Sequence, residues 1–166
     1  MMKFQNKLHM KNKKLIKVFA LLVSIVAVFL LSLPTILHKS GLHPDYIGPS
    51  VSLPGKRALV ITTSHAVLSK PGEISGKPTG VFGSEMTHPY YTFLDGGMEV
   101  DIASIKGGEL PIDPESFFFM VKTPEDERYL NDPVAQAKVK NSIPIAEVDM
   151  DQYDIIFISG GWGAAY

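Results

Sequence analysis

Two short stretches hold the residue types from which a reaction could be built. The first is "SEMTHPYY", in which Glu85 stands four residues before Pro89. Proline has no N–H to donate to the Glu85 carbonyl, so a helix starting here carries an open oxygen close to a carboxylate. In a cleft, that carboxyl group could donate or accept a proton. On an open helix start it is an ordinary first-turn acid favoured by the helix dipole. The second stretch is "FISGGWGAAY", where Gly160, Gly161, Trp162 and Gly163 follow an apolar run. Glycine lets backbone N–H groups approach a ligand closely, which suits a developing oxyanion; the plainer reading is a tight strand-to-helix turn. No Lys-Ser/Thr follows to make a phosphate loop. Trp162, the sole tryptophan, either lines a pocket or caps the sheet.

Other chemistries are set aside on residue type and spacing. His65, His88, Glu85 and Glu99 show no compact ligand spacing such as H-x-x-x-H, so no metal is expected, and no motif asks for a cofactor. The chain has no cysteine, which excludes a disulfide framework, a thiolate metal site and a cysteine nucleophile among these residues. A net charge of -1 gives no electrostatic case for a nucleic-acid partner. The "FFFM" run at Phe117 to Met120 reads as core, and "EDER", Glu125 to Arg128, as a solvated helix face.

The elements that must position Glu85 and the glycine turn follow from hydrophobic period. "RALVITTS" is a β-branched run ended by a polar loop, a first strand from Arg57. Met86, Tyr90, Phe93 and Leu94 recur at helical spacing and Gly96-Gly97 stops them, so a helix carries Glu85 in its first turn. "MEVDIAS" alternates as a second strand. "TPEDERYLNDPVAQAKVKN" reads as one or two helices, with Asp132 as an N-cap and Pro133 at the first helical position. "YDIIFIS" is a third strand, apolar enough to be covered on both faces. Strand, helix, strand, helix, strand predicts an α/β fold: a flavodoxin-like parallel sheet with helices on both faces, represented by its first three strands. With the order 2-1-3, the loops after strands one and three flank the switch point, and Glu85 faces the glycine turn.

The N-terminus is of a different kind. Lys3, Lys7, Lys11, Lys13, Lys14 and Lys17 precede an apolar run from Val18 to Leu37, and no acidic residue appears before Asp45. Twenty residues at helical rise cover about 30 Å, the thickness of a hydrocarbon core. Residues 1–17 are therefore read as a cytoplasmic basic segment and 18–37 as a single-pass signal anchor in the cell membrane, with the later residues outside. The alternative is a signal peptide that is cleaved to release a secreted protein. No A-x-A pattern follows the run, which favours the anchor. Residues 38–56 are expected to be an extended linker, because "GLHPDYIGPSVSLPGK" holds three prolines and three glycines in sixteen residues. The soluble domain is expected over 57–166.

Taken in order, "TSH", "KPTGVFGSEMTHPYYTFLDGGMEVDIASIKGGELPIDPES" and "YLNDPVAQAKVKNSIPIAEVDMDQYDIIFISGGWG" resemble the ThiJ/PfpI family, with its class I glutamine amidotransferase-like fold. The nearer likeness is to the branch of glyoxalase III and related stress-response chaperones. The resemblance implies a cysteine on a strand-to-helix elbow that attacks an aldehyde or acyl carbon, and a buried glutamate that pairs with the thiol. It also implies that the glycine turn helps form the oxyanion site. By motif the glutamate is Glu85 and the turn is Gly160 to Gly163. Family members usually read Gly-Gly-His-Gly at this turn, so Trp162 removes a possible proton carrier. The nucleophile elbow of the family lies on the next strand, so this sequence is expected to be an N-terminal portion, inactive by itself. The implied partners are the membrane, a small reactive aldehyde as substrate and a second copy in a homodimer. The alternative is a non-catalytic extracytoplasmic chaperone or binding module of the same fold.

Overall fold

The computed structural model describes residues 2–42 and 47–165, with the side chains of residues 2–12 not among those described. Lys3, Lys7 and Lys11 of the expected basic segment, and residues 43–46 of the expected linker, thus fall outside the described side chains and residues. The chain divides into two compact units, Met1–Asp45 and Tyr46–Tyr166.

The first unit is one helix, α1 (Met2–Lys39), which continues through Pro34. Its stretch Lys13–Lys39 is long and apolar enough to cross a membrane. The two serines inside this run are satisfied within the helix: Ser24 Oγ donates to the Ala20 carbonyl and Ser32 Oγ to the Phe29 carbonyl, both at 2.9 Å. Such back-bonding satisfies each hydroxyl within the helix itself.

The second unit is built on a parallel sheet flanked by helices. Its strands are β1 (Arg57–Thr62), β4 (Glu99–Ser104), β5 (Ile143–Pro144) and β6 (Ile155–Ile158), in the order β5-β4-β1-β6. A separate antiparallel pair, β2 (Val67–Ser69) and β3 (Gly76–Pro78), fills the loop after β1. The expected 2-1-3 order is present as β4-β1-β6, with Ala58 opposite both Val100 and Ile155. The two-residue β5 adds a fourth strand that hydrophobic period could not reveal, since it has no length over which to alternate.

One core forms where alternate residues Ala58 and Val60 of β1 and Val100 and Ile102 of β4 meet the helices. α2 (Gly83–Asp95) contributes Met86, Tyr90 and Tyr91, α3 (Pro124–Leu130) contributes Tyr129, and α4 (Pro133–Lys140) contributes Ala135 and Val139. The three helices therefore gather on one face, where the sequence suggested both. The return from β5 to β6 carries two short 3-10 turns, Ile145–Glu147 and Met150–Gln152, because ten residues leave no room for a longer helix. The expected linker is also more structured at its end than its composition implied. The Leu53 amide donates to the Gly96 carbonyl at 2.7 Å, and the Leu53 side chain packs on the core.

Two sequence expectations are corrected. Phe118 and Phe119 are 49% and 51% exposed and stack edge to face on each other, so "FFFM" is not core beyond a partly buried Phe117. The turn Pro114–Phe117 ends at Phe118, which points the following rings outward. Asp126 is 0% exposed, so "EDER" is not a uniformly solvated face. It closes a capping box with Thr123, the N-cap of α3.

At the N-terminal end of the strands, polar groups fix the register. Asp101 accepts from Arg57 Nη2 at 2.8 Å, Lys138 Nζ at 3.0 Å and Tyr153 Oη at 3.1 Å, joining β1, β4, α4 and the return loop. Burial pushes the Asp101 carboxyl up, but Lys138 and Arg57 outweigh it and hold the group below the ordinary carboxylate value. A depressed folded pKa means that the stabilisation is complete above the unfolded value near 3.9 and is lost as pH falls through the lower folded value. Asp101→Asn is expected to cost about 1 kcal/mol at pH 7, since both cationic partners are partly solvated. Urea titrations between pH 7 and pH 2 should show the wild type losing more stability than the variant below about pH 4. Parallel pH profiles would contradict this role.

Candidate active site

The register of β1 with β6 pairs Ile61 with Ile158, so the loops that leave these two strands emerge side by side. This is the switch-point end of the sheet. Ser159 continues β6 by donating its amide to the Ile61 carbonyl at 2.9 Å, and the glycine turn starts at the next residue.

The open carbonyl predicted from Pro89 is present and is taken. Ser159 Oγ donates to the Glu85 backbone oxygen at 2.9 Å, the bond that no amide at position 89 can make. The end of β6 is thereby tied to the first turn of α2. Sequence reasoning identified the missing donor and had no signal for its replacement, because Ser159 lies 74 residues away.

The same contact sets the side chain of Glu85 against the glycine turn. A Cβ built on Gly160 would collide with Glu85 Oε2, so the carboxylate occupies the space that any other residue at 160 would need. Glu85 is exposed in this structure and not enclosed, unlike the buried glutamate that the resemblance implies. Among the described residues, the amides of Gly160 and Gly161 have no hydrogen-bond acceptor. A carboxylate and two free N–H groups thus meet at one strand end.

The turn itself is held from below. The Gly163 amide donates to the Gly80 carbonyl at 3.1 Å, and Thr63 Oγ1 donates to the Gly163 carbonyl at 2.6 Å. Thr63 Oγ1 also accepts from the His65 amide at 2.9 Å, so the loop after β1 braces the loop after β6. Trp162 opens a short 3-10 turn, Trp162–Ala164, and is 57% exposed, so it neither fills a pocket nor covers the sheet. A largely apolar cleft of about 580 Å³, lined by Phe82, Pro114, Glu115, Phe117, Phe118 and Val121, shares only Phe82 with this neighbourhood.

The other polar residues weighed from the sequence lie apart. His88 Nε2 sits 2.9 Å from Glu125 Oε2 on the outer side of α2 and α3. Glu99 lies 3.8 Å from Arg57 Nε at the opposite end of the sheet. Among the described residues no cluster of His, Asp or Glu could hold a metal ion.

No family model matches the chain, and no curated protein matches it significantly. Solved structures do. Rapid Encystment Protein 24 kDa of Francisella tularensis is 38% identical, with a TM-score of 0.59, over 67% of this chain and 47% of its own. Glyoxalase III of Candida albicans is 29% identical, with a TM-score of 0.54, over 65% of this chain and 44% of its own. Both belong to the DJ-1/ThiJ/PfpI superfamily. The chain shares their fold.

It spans somewhat less than half the length of these two superfamily structures. Within the stretch that these structures match, Glu85 and the glycine turn are brought together, with Trp162 at the third position of that turn.

Proposed function

We propose that this is a membrane-anchored protein of the ThiJ/PfpI type, by lineage a glyoxalase III-like or deglycase-like enzyme for small reactive aldehydes, whose described residues form one half of the active site. The observation that carries this reading is the contact of Glu85 with Gly160 beside the two free amides. In the reaction, a cysteine thiolate adds to the aldehyde carbon, Glu85 takes the thiol proton and the amides of Gly160 and Gly161 receive the oxyanion. The cysteine is supplied by a further strand seated on the outer edge of β6. Supporting this, Ile156, Phe157 and Ile158 are 44%, 39% and 75% exposed, unusual for a strand that should be covered. The anchor is α1, whose Lys13–Lys39 stretch has the length and composition of a span.

The test is turnover of methylglyoxal to lactate. The 166-residue chain alone is expected to show none. Co-expressed with the C-terminal half of the Candida glyoxalase III, it is expected to show turnover that falls at least about 100-fold with Glu85→Gln. Turnover by the chain alone, or an assembled complex indifferent to Glu85, would reject the reading.

A second reading, a chaperone or binding module without chemistry, is favoured by the exposed rings of Phe118, Phe119 and Trp162. It requires suppression of aggregation of a heat-denatured client by the chain alone.

A further inference from the structure

The positive end of α1 is the most one-sided charge distribution in the molecule. Six lysines and no acidic residue occupy the first seventeen positions, and the helix runs unbroken from there into the apolar stretch. Lys13, Lys14 and Lys17 are exposed. Resting on the membrane-anchored reading above, we propose that Lys13, Lys14 and Lys17 form a binding collar for anionic phospholipid headgroups in the leaflet where α1 begins.

The geometry decides which lysines matter. With the hydrocarbon boundary at Val18 and a rise of 1.5 Å per residue, Lys17 lies at the boundary, with Lys14 about 6 Å and Lys13 about 8 Å above it. These distances fall within the Debye length of about 8 Å at physiological ionic strength. Lys11, Lys7 and Lys3 lie on the same continuous helix about 11 Å, 16 Å and 22 Å above the boundary, beyond the screening length. Phosphatidylglycerol supplies the complementary charge at the depth that the three inner ammonium groups reach, and long lysine stems can extend back towards it. Each lysine near an anionic surface contributes about fivefold to the preference, equivalent to about 1 kcal/mol. The outer three contribute little.

The experiment reconstitutes the full chain in phosphatidylcholine vesicles and compares spin-labelled phosphatidylglycerol with spin-labelled phosphatidylcholine in the lipid shell that the helix immobilises. The expected result is a several-fold preference for phosphatidylglycerol, abolished by 1 M salt and by K13Q/K14Q/K17Q, and retained in K3Q/K7Q. Equal association of the two lipids with the wild type, or loss of the preference in K3Q/K7Q, would overturn the assignment. If neither lipid is immobilised and the chain stays in the aqueous phase, the anchor reading itself fails and the collar with it. These substitutions lie outside the sheet unit, so folding of the latter does not affect the readout.

Discussion

Gly161→Ala is expected to destabilise the sheet unit by about 3 kcal/mol, the combined cost of a forbidden backbone conformation and a steric collision. Gly161 has φ 101° and ψ 173°, a region that only glycine enters without strain. The added Cβ would also lie 2.6 Å from the Phe82 amide nitrogen and 3.0 Å from the Gly80 carbonyl oxygen. Both neighbours are backbone, so neither can rotate away. The Gly80 carbonyl is the acceptor for the Gly163 amide, and Phe82 is the N-cap of α2, so relief at either point disturbs the turn or the helix that carries Glu85. Thermal unfolding in detergent, followed by circular dichroism, isolates the sheet unit if α1 stays helical in the micelle. A fall in Tm of more than about 10 °C is expected for a unit of this size. A Tm within a couple of degrees of the wild type would mean that the turn is not locked between these two carbonyl and amide groups.

The positions of these groups were legible in the sequence to different depths. Period alone located β1, α2, β4 and β6, because each has enough residues to show alternation or a helical stripe against a polar background. The placement of Glu85 opposite the glycine turn needed more than period: it followed only once a 2-1-3 strand order was assumed, and β4-β1-β6 is that order. β3 was invisible because Gly76, Lys77 and Pro78 are all exposed and carry no β-strand propensity, and β2 because three residues are too few to show alternation; their pairing is a tertiary event. The sequence left two readings of Glu85 open, enclosed in a cleft or on an open helix start, and the structure shows it exposed. Whether a first-turn carboxylate is enclosed depends on tertiary packing, and the strand spacing does not encode that.

Asp126 gives the sharpest case of a residue whose role its local sequence obscured. Four consecutive charged residues suggest solvent, yet Thr123 three positions earlier and Pro124 between them mark a helix start with a reciprocal cap. The carboxylate accepts from Thr87 Oγ1 at 2.7 Å and from the Thr123 amide at 2.9 Å, while its own amide donates to Thr123 Oγ1 at 3.1 Å. Thr87 and Thr123 are themselves buried, at 1% and 2% exposure. Asp126→Ala therefore strands two buried donors in addition to removing the charge-assisted bonds, and the expected loss is about 3 kcal/mol. Asp126→Asn keeps the shape but turns an N–H towards a donor, so it should cost about half as much. Thr87→Val, which removes one bond while filling its space, should cost about 1 kcal/mol.

Asp126 reaches the site through α2. Thr87 is two residues beyond Glu85, and the Gly83 amide at the helix start donates to Ser116 Oγ at 2.8 Å, so the first turn of α2 is positioned by α3 on one side and by the turn before it on the other. Urea unfolding of the three variants should give Asp126→Ala as the most destabilised and Thr87→Val as the least. Combining Thr87→Val with Asp126→Ala should cost less than the sum of the two alone, since the second change removes a bond the first has already broken. Strict additivity would show that Asp126 stabilises α3 without holding the helix that carries Glu85.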